Sequence, residues 1–271
     1  MSSPPQALEP AGRRWVGVAA YHLVVLRRVW RGMVFSRIGG PLLTLFAIGW
    51  GVGALVDRGP SRGLPWQGQL LPYVVFVVPG ILASQAMLTG FGESSWPVLA
   101  GIKWAGTYLA MLATPLRTRD ILRGHVAQVG WQLAAGAALF VALAAPFGVW
   151  RSWWVMAAVP VAVLTGLGFT LPMAALAAYA QSEAWFTLVF RVGVTPLMLF
   201  SGTYFPLEQL PGALRPVAWA TPLWHGVEAC RALATGVLDA GPLAAHLAVL
   251  VGFVVVGWWL ADSVLRRRLV T

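Results

Sequence analysis

Six apolar stretches of this 271-residue chain are long enough to cross a lipid bilayer, the clearest at residues 41–56, 71–90, 153–179 and 243–264. A hydrocarbon core about 30 Å thick takes a helix of about 20 apolar residues. Lipid is therefore the main solvent of the fold, and the first question is what passes through a bundle of helices. The composition agrees: 58% of residues are hydrophobic and 10% charged, against about 25% charged in soluble domains. A water-soluble fold could not hide so much apolar surface behind so few charges.

The formal charge of +10 could point to nucleic acid. Its placement argues otherwise, because Arg27, Arg28, Arg31 and Arg37, and then Arg266, Arg267 and Arg268, sit beside apolar runs. Such flanking arginines suit anionic lipid headgroups and the positive-inside rule. Neither a lysine-rich tract nor a zinc spacing supports a nucleic-acid partner. Cys230 is the single cysteine, which excludes an internal disulfide. The first 20 residues lack an apolar signal core with a cleavage site, so the N-terminus is expected to be retained and cytoplasmic. The excess of arginine over the single Lys103, with abundant alanine and valine, fits a bacterial source.

Three segments are expected. Residues 1–12 carry three prolines and read as a loose tail. Residues 13–37 place Trp15, Val18, His22, Val25, Leu26 and Val29 at helical spacing with arginines on another face, the pattern of an interfacial amphipathic helix. Residues 38–271 form the transmembrane domain, all-α and polytopic. Its six spans fall at about 40–56, 71–91, 121–145, 155–179, 185–200 and 243–262. Pro79 and Gly80 are expected to kink the second. Residues 93–120 are too polar to span and too apolar for a linker, so short interfacial helices are expected there. Residues 201–239, punctuated by Pro206, Pro211, Pro216 and Pro222, predict two half-length re-entrant pieces before the last span. An even span count puts both termini on one side. The basic residues favour that side about threefold, which makes it cytoplasmic.

Enzyme signatures are missing. The chain has no GxxxxGK[ST] phosphate loop, no HExxH and no GxSxG. Gly49, Gly51 and Gly53 imitate a dinucleotide loop, but they lie inside a span and read as close helix packing. His22, His125, His225 and His246 are too scattered to predict a metal site. Polar groups within the spans are costly and need partners. Gln128 and Gln132 share a face of the third span and are expected to hydrogen-bond a neighbouring helix or to line a conduit. Arg191 lies within reach of Glu183 for an ion pair, or can snorkel to headgroups. Glu228 and Arg231, three apart, are spaced to pair.

Two segments carry a family resemblance. Residues 91–124 read FGESSWPVLAGIKWAGTYLAMLATPLRTRDILRG, and residues 199–231 read LFSGTYFPLEQLPGALRPVAWATPLWHGVEACR. The glutamate after the second span, the K-W and T-Y pairs and the R-D-I-L-x-G run resemble ABC-2 type permeases. So do F-S-G-T-Y-F-P and P-L-W-H-G-V-E-x-x-R. The resemblance is to the NodJ-like, or daunorubicin-resistance-like, exporters, and with the matching hydropathy it covers nearly the whole chain. His125 departs from it, because an acidic residue is usual after that glycine.

The resemblance implies a permease subunit in a bacterial plasma membrane. A separate cytoplasmic ATPase would hold ATP and magnesium, and this chain would bind no cofactor. A second permease, copy or paralogue, would complete the pathway among membrane lipids. The coupling helix that docks on the ATPase would lie at about residues 93–107, with Glu93, Trp96, Lys103 and Trp104 as contacts. Residues 201–231 would close the outer end, where Phe200, Tyr204, Phe205 and His225 are the candidate pathway or gate residues. The cargo would be amphipathic: a lipid-linked glycan, a lipo-oligosaccharide or a drug-like molecule. The competing expectations are a membrane-embedded lipid-modifying enzyme, which would need clustered acids or histidines, and an ion-driven carrier, which would need a deep carboxylate.

Overall fold

A computed structural model describes residues 15–18, 24, 39–40, 43–59 and 63–270. The expected tail at residues 1–12, and most of the expected amphipathic helix at 13–37 with its arginines, lie outside the described residues. Residues 15–18 are helical.

Among the described residues, four helical segments are long and apolar enough to cross a membrane. The first, Tyr73–Lys103, consists of α2 (Tyr73–Ser94) and α3 (Trp96–Lys103), with only Ser95 between them. The others are built on α5 (Thr118–Ala144), α6 (Val155–Tyr179) and α10 (Ala240–Val270). Shorter apolar helices stand where the first and fifth spans were expected: α1 (Leu45–Val56) and α7 (Ala184–Phe200). Each contains a π-helical stretch, Leu45–Val52 in α1 and Phe190–Val194 in α7. The interfacial stretch after α2 holds α3 and α4 (Thr107–Leu112). The proline-rich stretch before α10 holds α8 (Arg215–Trp219) and α9 (Pro222–Thr235).

One element departs from the all-α expectation. The stretch between the first and second expected spans closes in a two-stranded antiparallel hairpin, β1 (Leu64–Trp66) with β2 (Gln69–Leu71). Gln67 and Gly68, both at positive φ (46° and 75°), make the two-residue connection. That conformation matches the right-handed twist of the paired strands.

Local chemistry sets the helix ends. Pro72 precedes α2 and Pro222 opens α9, positions where a missing N–H costs nothing. At the start of α5 the Arg117 backbone N–H donates to Asp120 Oδ2 at 3.1 Å, an acidic cap where the helix dipole favours one. Gly236, at φ 81°, ends α9 in the left-handed conformation. Pro79 stays inside α2, where it removes the N–H that would bond the Val75 carbonyl. Gly80 is used for contact: a Cβ there would lie 2.9 Å from the Thr203 carbonyl oxygen.

Helix α2 is the axis of the bundle. The protein buries 78% of its apolar window, against 11% for α10, which leaves most of α10 to lipid. Small residues let the central helices meet. A Cβ on Gly90 would sit 2.2 Å from the Gly166 carbonyl oxygen, and one on Gly166 would sit 2.5 Å from a Leu133 methyl. A Cβ on Gly226 of α9 would sit 2.2 Å from Thr165 Oγ1. Helices in lipid associate through such backbone approaches, because apolar burial alone does not drive them together. The GWGVG run takes part at Gly53, where a Cβ would rest 3.6 Å from the Tyr73 ring.

Gly90→Val is therefore expected to destabilise the folded protein by about 3 kcal/mol or more, since backbone stands in the way. Gly92→Ala, with nothing within 4 Å, is expected to be neutral. Thermal unfolding of both variants in detergent checks the difference.

Candidate functional site

The hairpin precedes α2, whereas α3 follows it, so the two mark opposite ends of the bundle. At the hairpin end the site is organised by Arg231 on α9. Its side chain is 1% exposed. Nε donates to the Phe76 carbonyl at 3.0 Å, and one terminal nitrogen donates to the Gly202 carbonyl at 2.7 Å. The other pairs with Glu228, one turn earlier on the same helix, and the guanidinium lies 3.8 Å from the centre of the Phe76 ring. Glu228 Oε2 also accepts from the indole N–H of Trp66 on the hairpin, at 2.8 Å. One cation thus ties α9, α2, the hairpin and the 201–205 loop together. The Ser84 and Thr203 hydroxyls, 3.1 Å apart, hold that loop a second time.

Two histidines distant in sequence meet beside it. His225 Nδ1 and His246 Nδ1 are 2.8 Å apart, and His225 Nε2 lies 2.9 Å from the Trp219 carbonyl. A carbonyl only accepts, so Nε2 carries the proton, and in a neutral His225 Nδ1 accepts from His246. Burial pushes the His225 imidazole below its usual value and outweighs the bond to Trp219. Trp224 packs edge-on against both rings. Cys230, fully buried next to Arg231, has its thiol pushed up to about 12 by that burial, so it is no nucleophile at neutral pH.

A cavity of about 450 Å³ opens between the hairpin tip, the 206–215 segment, and α9 with α10. Trp66, Trp219, Trp224, Glu228, Arg231 and His246 are among its walls. The aromatic residues singled out from sequence lie elsewhere. Phe200 is exposed, Tyr204 packs on the main core, and Phe205 packs with Trp224 over Leu207, Leu210 and Ala218. Burial pushes the Tyr204 phenol above its usual value. None of these three lines the cavity, and His225 borders it only through its partner His246.

The opposite end gathers α3, α4, the start of α5, the 180–183 turn and the end of α10. Lys103 Nζ donates to the Gln181 carbonyl at 2.7 Å, and Trp96 Nε1 donates to Glu183 Oε2 at 3.0 Å. Trp104 is 58% exposed. Half-buried Glu93 accepts from Gln132 Nε2 at 3.3 Å, a bond between α2 and α5. Gln128 is half-buried on α5 one turn earlier. His125 is buried, 2.9 Å from Ser94 Oγ. Arg191 is exposed on α7, and no ion pair among the described residues joins it to Glu183, whose carboxylate faces Trp96. Asp262 on α10 takes Arg119 at 3.3 Å and also Arg266. Buried Val18 lies against Gly124 at the start of α5, so residues 15–18 and the end of α10 share this end of the bundle.

A helical membrane bundle with one ordered polar end and one interfacial-helix end matches a known sequence profile, the ABC-2 type transporter, over residues 18–234. The chain belongs to the ABC-2 type transporter family. This ABC-2 chain is 28% identical to Nodulation protein J of Rhizobium meliloti over 266 residues, which cover 97% of each protein. It is 29% identical to Nodulation protein J of Sinorhizobium fredii over 95% of the chain and 94% of that protein. The Inner membrane transport permease YadH of Escherichia coli is 26% identical over 72% of the chain and 75% of its own length. It is thus a multi-pass inner-membrane protein and a transporter subunit.

Removing the cation tests the hairpin-end network. Breaking a buried ion pair leaves the partner charge unpaired, at about 3–5 kcal/mol. Arg231→Ala is expected to lose that much stability in denaturant titrations of the micelle-bound protein. Arg231→Ala with Glu228→Ala should cost less than the sum of the single changes, because the double variant strands neither charge.

Proposed function

We propose that this chain is the pathway-forming subunit of an ATP-driven exporter, with six spans and both termini in the cytoplasm. A separate ATPase subunit docks on the α3–α4 end, and a second permease completes the conduit for an amphipathic cargo. The observation that carries the reading is the construction of α3. It follows α2 after a single residue, is fastened to the 180–183 turn through Lys103 and Trp96, and leaves Trp104 presented outward. A load applied to α3 by a soluble partner therefore reaches α2, α6 and α7 together. The relatives' names, a transport permease among them, support the same reading.

On this reading the α10 end is cytoplasmic, and the hairpin, the 201–235 segment and the cavity face outward. The basic residues at the α10 end, such as Arg266, Arg267 and Arg268, agree with that orientation. ATP-driven closure of the ATPase pair would press the coupling helices and bias the bundle between two packings.

Trp104→Ala is expected to weaken copurification of the ATPase about tenfold, as loss of an exposed aromatic anchor does. Lys103→Glu should do so as well, by reversing a charge beside it. Membrane insertion and yield should be unchanged in both. Normal copurification with normal stimulated ATP hydrolysis in the two variants would sink the placement of the coupling helix.

A further inference from the structure

We propose that the His225–His246 pair is an acid-released latch between α9 and α10, which frees the hairpin end of α10 and widens the cavity when both rings are charged. The proposal goes beyond the exporter reading and does not depend on it. The two helices are linked at this end by the 2.8 Å contact between the two Nδ1 atoms. Among the described residues, no other hydrogen bond or ion pair joins α9 to α10. Trp224 braces both rings, its own ring centre 4.8 Å from that of His225 and 5.0 Å from that of His246.

The protons on the two rings decide whether the contact holds. The Trp219 carbonyl, 2.9 Å from His225 Nε2, keeps a proton on that nitrogen, so a neutral His225 has no other tautomer to adopt. Its Nδ1 is therefore the acceptor, and His246 Nδ1–H is the donor. A first proton goes to His246 Nε2 and leaves the bond intact, because Nδ1–H still donates. A second can go only to His225 Nδ1, where it sets two N–H groups head to head between two positive rings. Neither then has an acceptor, and like charges so close repel. Burial disfavours the charged form of His225, so that ring takes its proton more readily in an arrangement that admits water. Acid therefore opens the pair, and alkali closes it.

The surroundings do not supply the missing acceptor. On α9 the nearby charges are Glu228 and Arg231, which are engaged with each other, and Glu228 also takes the Trp66 indole. Glu208 and Arg215 face the same cavity with opposite charges. Asp239 is turned to the Gly241 N–H at the start of α10, and α10 carries no other charge before Asp262. No charged side chain lies on the hairpin, on α6, or on α2 before Glu93. Tyr73 and Tyr204 offer phenols that stay neutral across the histidine range. Anchoring decides which helix yields. Buried Arg231 fixes α9 to α2 and the 201–205 loop, whereas the protein buries only 11% of the α10 window. The first turns of α10 therefore swing, and the cavity walled by Trp224 and His246 widens. On the exporter reading this end faces outward, so the latch senses acidity outside the cell.

The test uses the full chain in lipid nanodiscs, with spin labels at two exposed positions. One is Gln69→Cys, on the hairpin that Glu228 ties to α9, and the other is Ala244→Cys on α10. The native Cys230 is buried away from the label. Dilution with unlabelled chain restricts double electron–electron resonance to distances within one molecule. From about pH 8 to about pH 5, the range in which histidines change charge, the distance is expected to lengthen. The change should be about 3 Å or more, the room a bridging water needs. His246→Asn is expected to lose the response, because its amide both donates and accepts and keeps the bond at either pH. His246→Ala is expected to lose it too, having no bond to break. An unchanged distance in the parent, or a lengthening that persists in either variant, would overturn the latch. Both faces of a nanodisc meet the same buffer, so the result does not depend on which end is outward. A failed latch leaves the exporter reading standing.

Discussion

The Arg231 guanidinium is the interaction on which the hairpin end of this bundle depends. Taking a cation out of water costs several kcal/mol unless its donors and its charge are met. Here two backbone carbonyls, one carboxylate and one aromatic face meet them, from three parts of the chain: Phe76 supplies both a carbonyl and its ring, Gly202 the other carbonyl and Glu228 the carboxylate. The requirement works as a folding instruction. Helix α9 is only 14 residues long and too short to span, so burying its arginine forces it against α2 and the 201–205 loop. Glu228 then passes the instruction on to the hairpin through Trp66.

The opposite end adds a different kind of contact. Arg119 and Arg266 reach Asp262 with side chains about half exposed, at 57% and 45%. Pairs that wet contribute about 0–1 kcal/mol each and are screened by salt. Lys103 and Trp96 add exposed hydrogen bonds to the apolar contacts of buried Val98 and Leu99, which seat α3 on the core. One end of the bundle is therefore held by desolvated charge, and the other by apolar packing with solvent-exposed polar contacts laid over it.

Much of this was legible in the sequence, and the boundary of legibility is physical. Long apolar runs dictate helices in lipid whatever their neighbours, so α2, α5, α6 and α10 fall within a few residues of their expected places. Glu228 and Arg231 were readable as a pair because three residues on a helix are neighbours in space. His225 and His246 were not, since their contact depends on how α9 docks against α10. The cavity was hidden for the same reason. Its tryptophans come from the hairpin, α8 and α9, and no periodicity links them. The hairpin gave a faint signal, Gln67-Gly68 between apolar flanks, weaker than the usual Asn-Gly. Phe200, Tyr204 and Phe205 belong to a recognisable motif; Phe200 is exposed, Tyr204 packs on the main core, and Phe205 packs beside Trp224.

The two ends are joined by one element. From Phe76, under the Arg231 guanidinium, to Ser94, beside α3, helix α2 runs 18 residues, or about 27 Å. Its middle cannot slide independently of α6, because Gly90 and Gly166 meet backbone to backbone. Close-packed interiors switch between discrete arrangements rather than deform continuously. A displacement of α3 therefore moves α2 and α6 as one body and arrives at the carbonyl of Phe76. There it must either carry the Arg231 network along or break a buried bond. The first alternative costs less, because the network also holds the hairpin and the 201–205 loop, so the walls of the cavity travel together. The hairpin end and the α3 end are thus coupled through one rigid helix, and a change of packing at either is felt at the other.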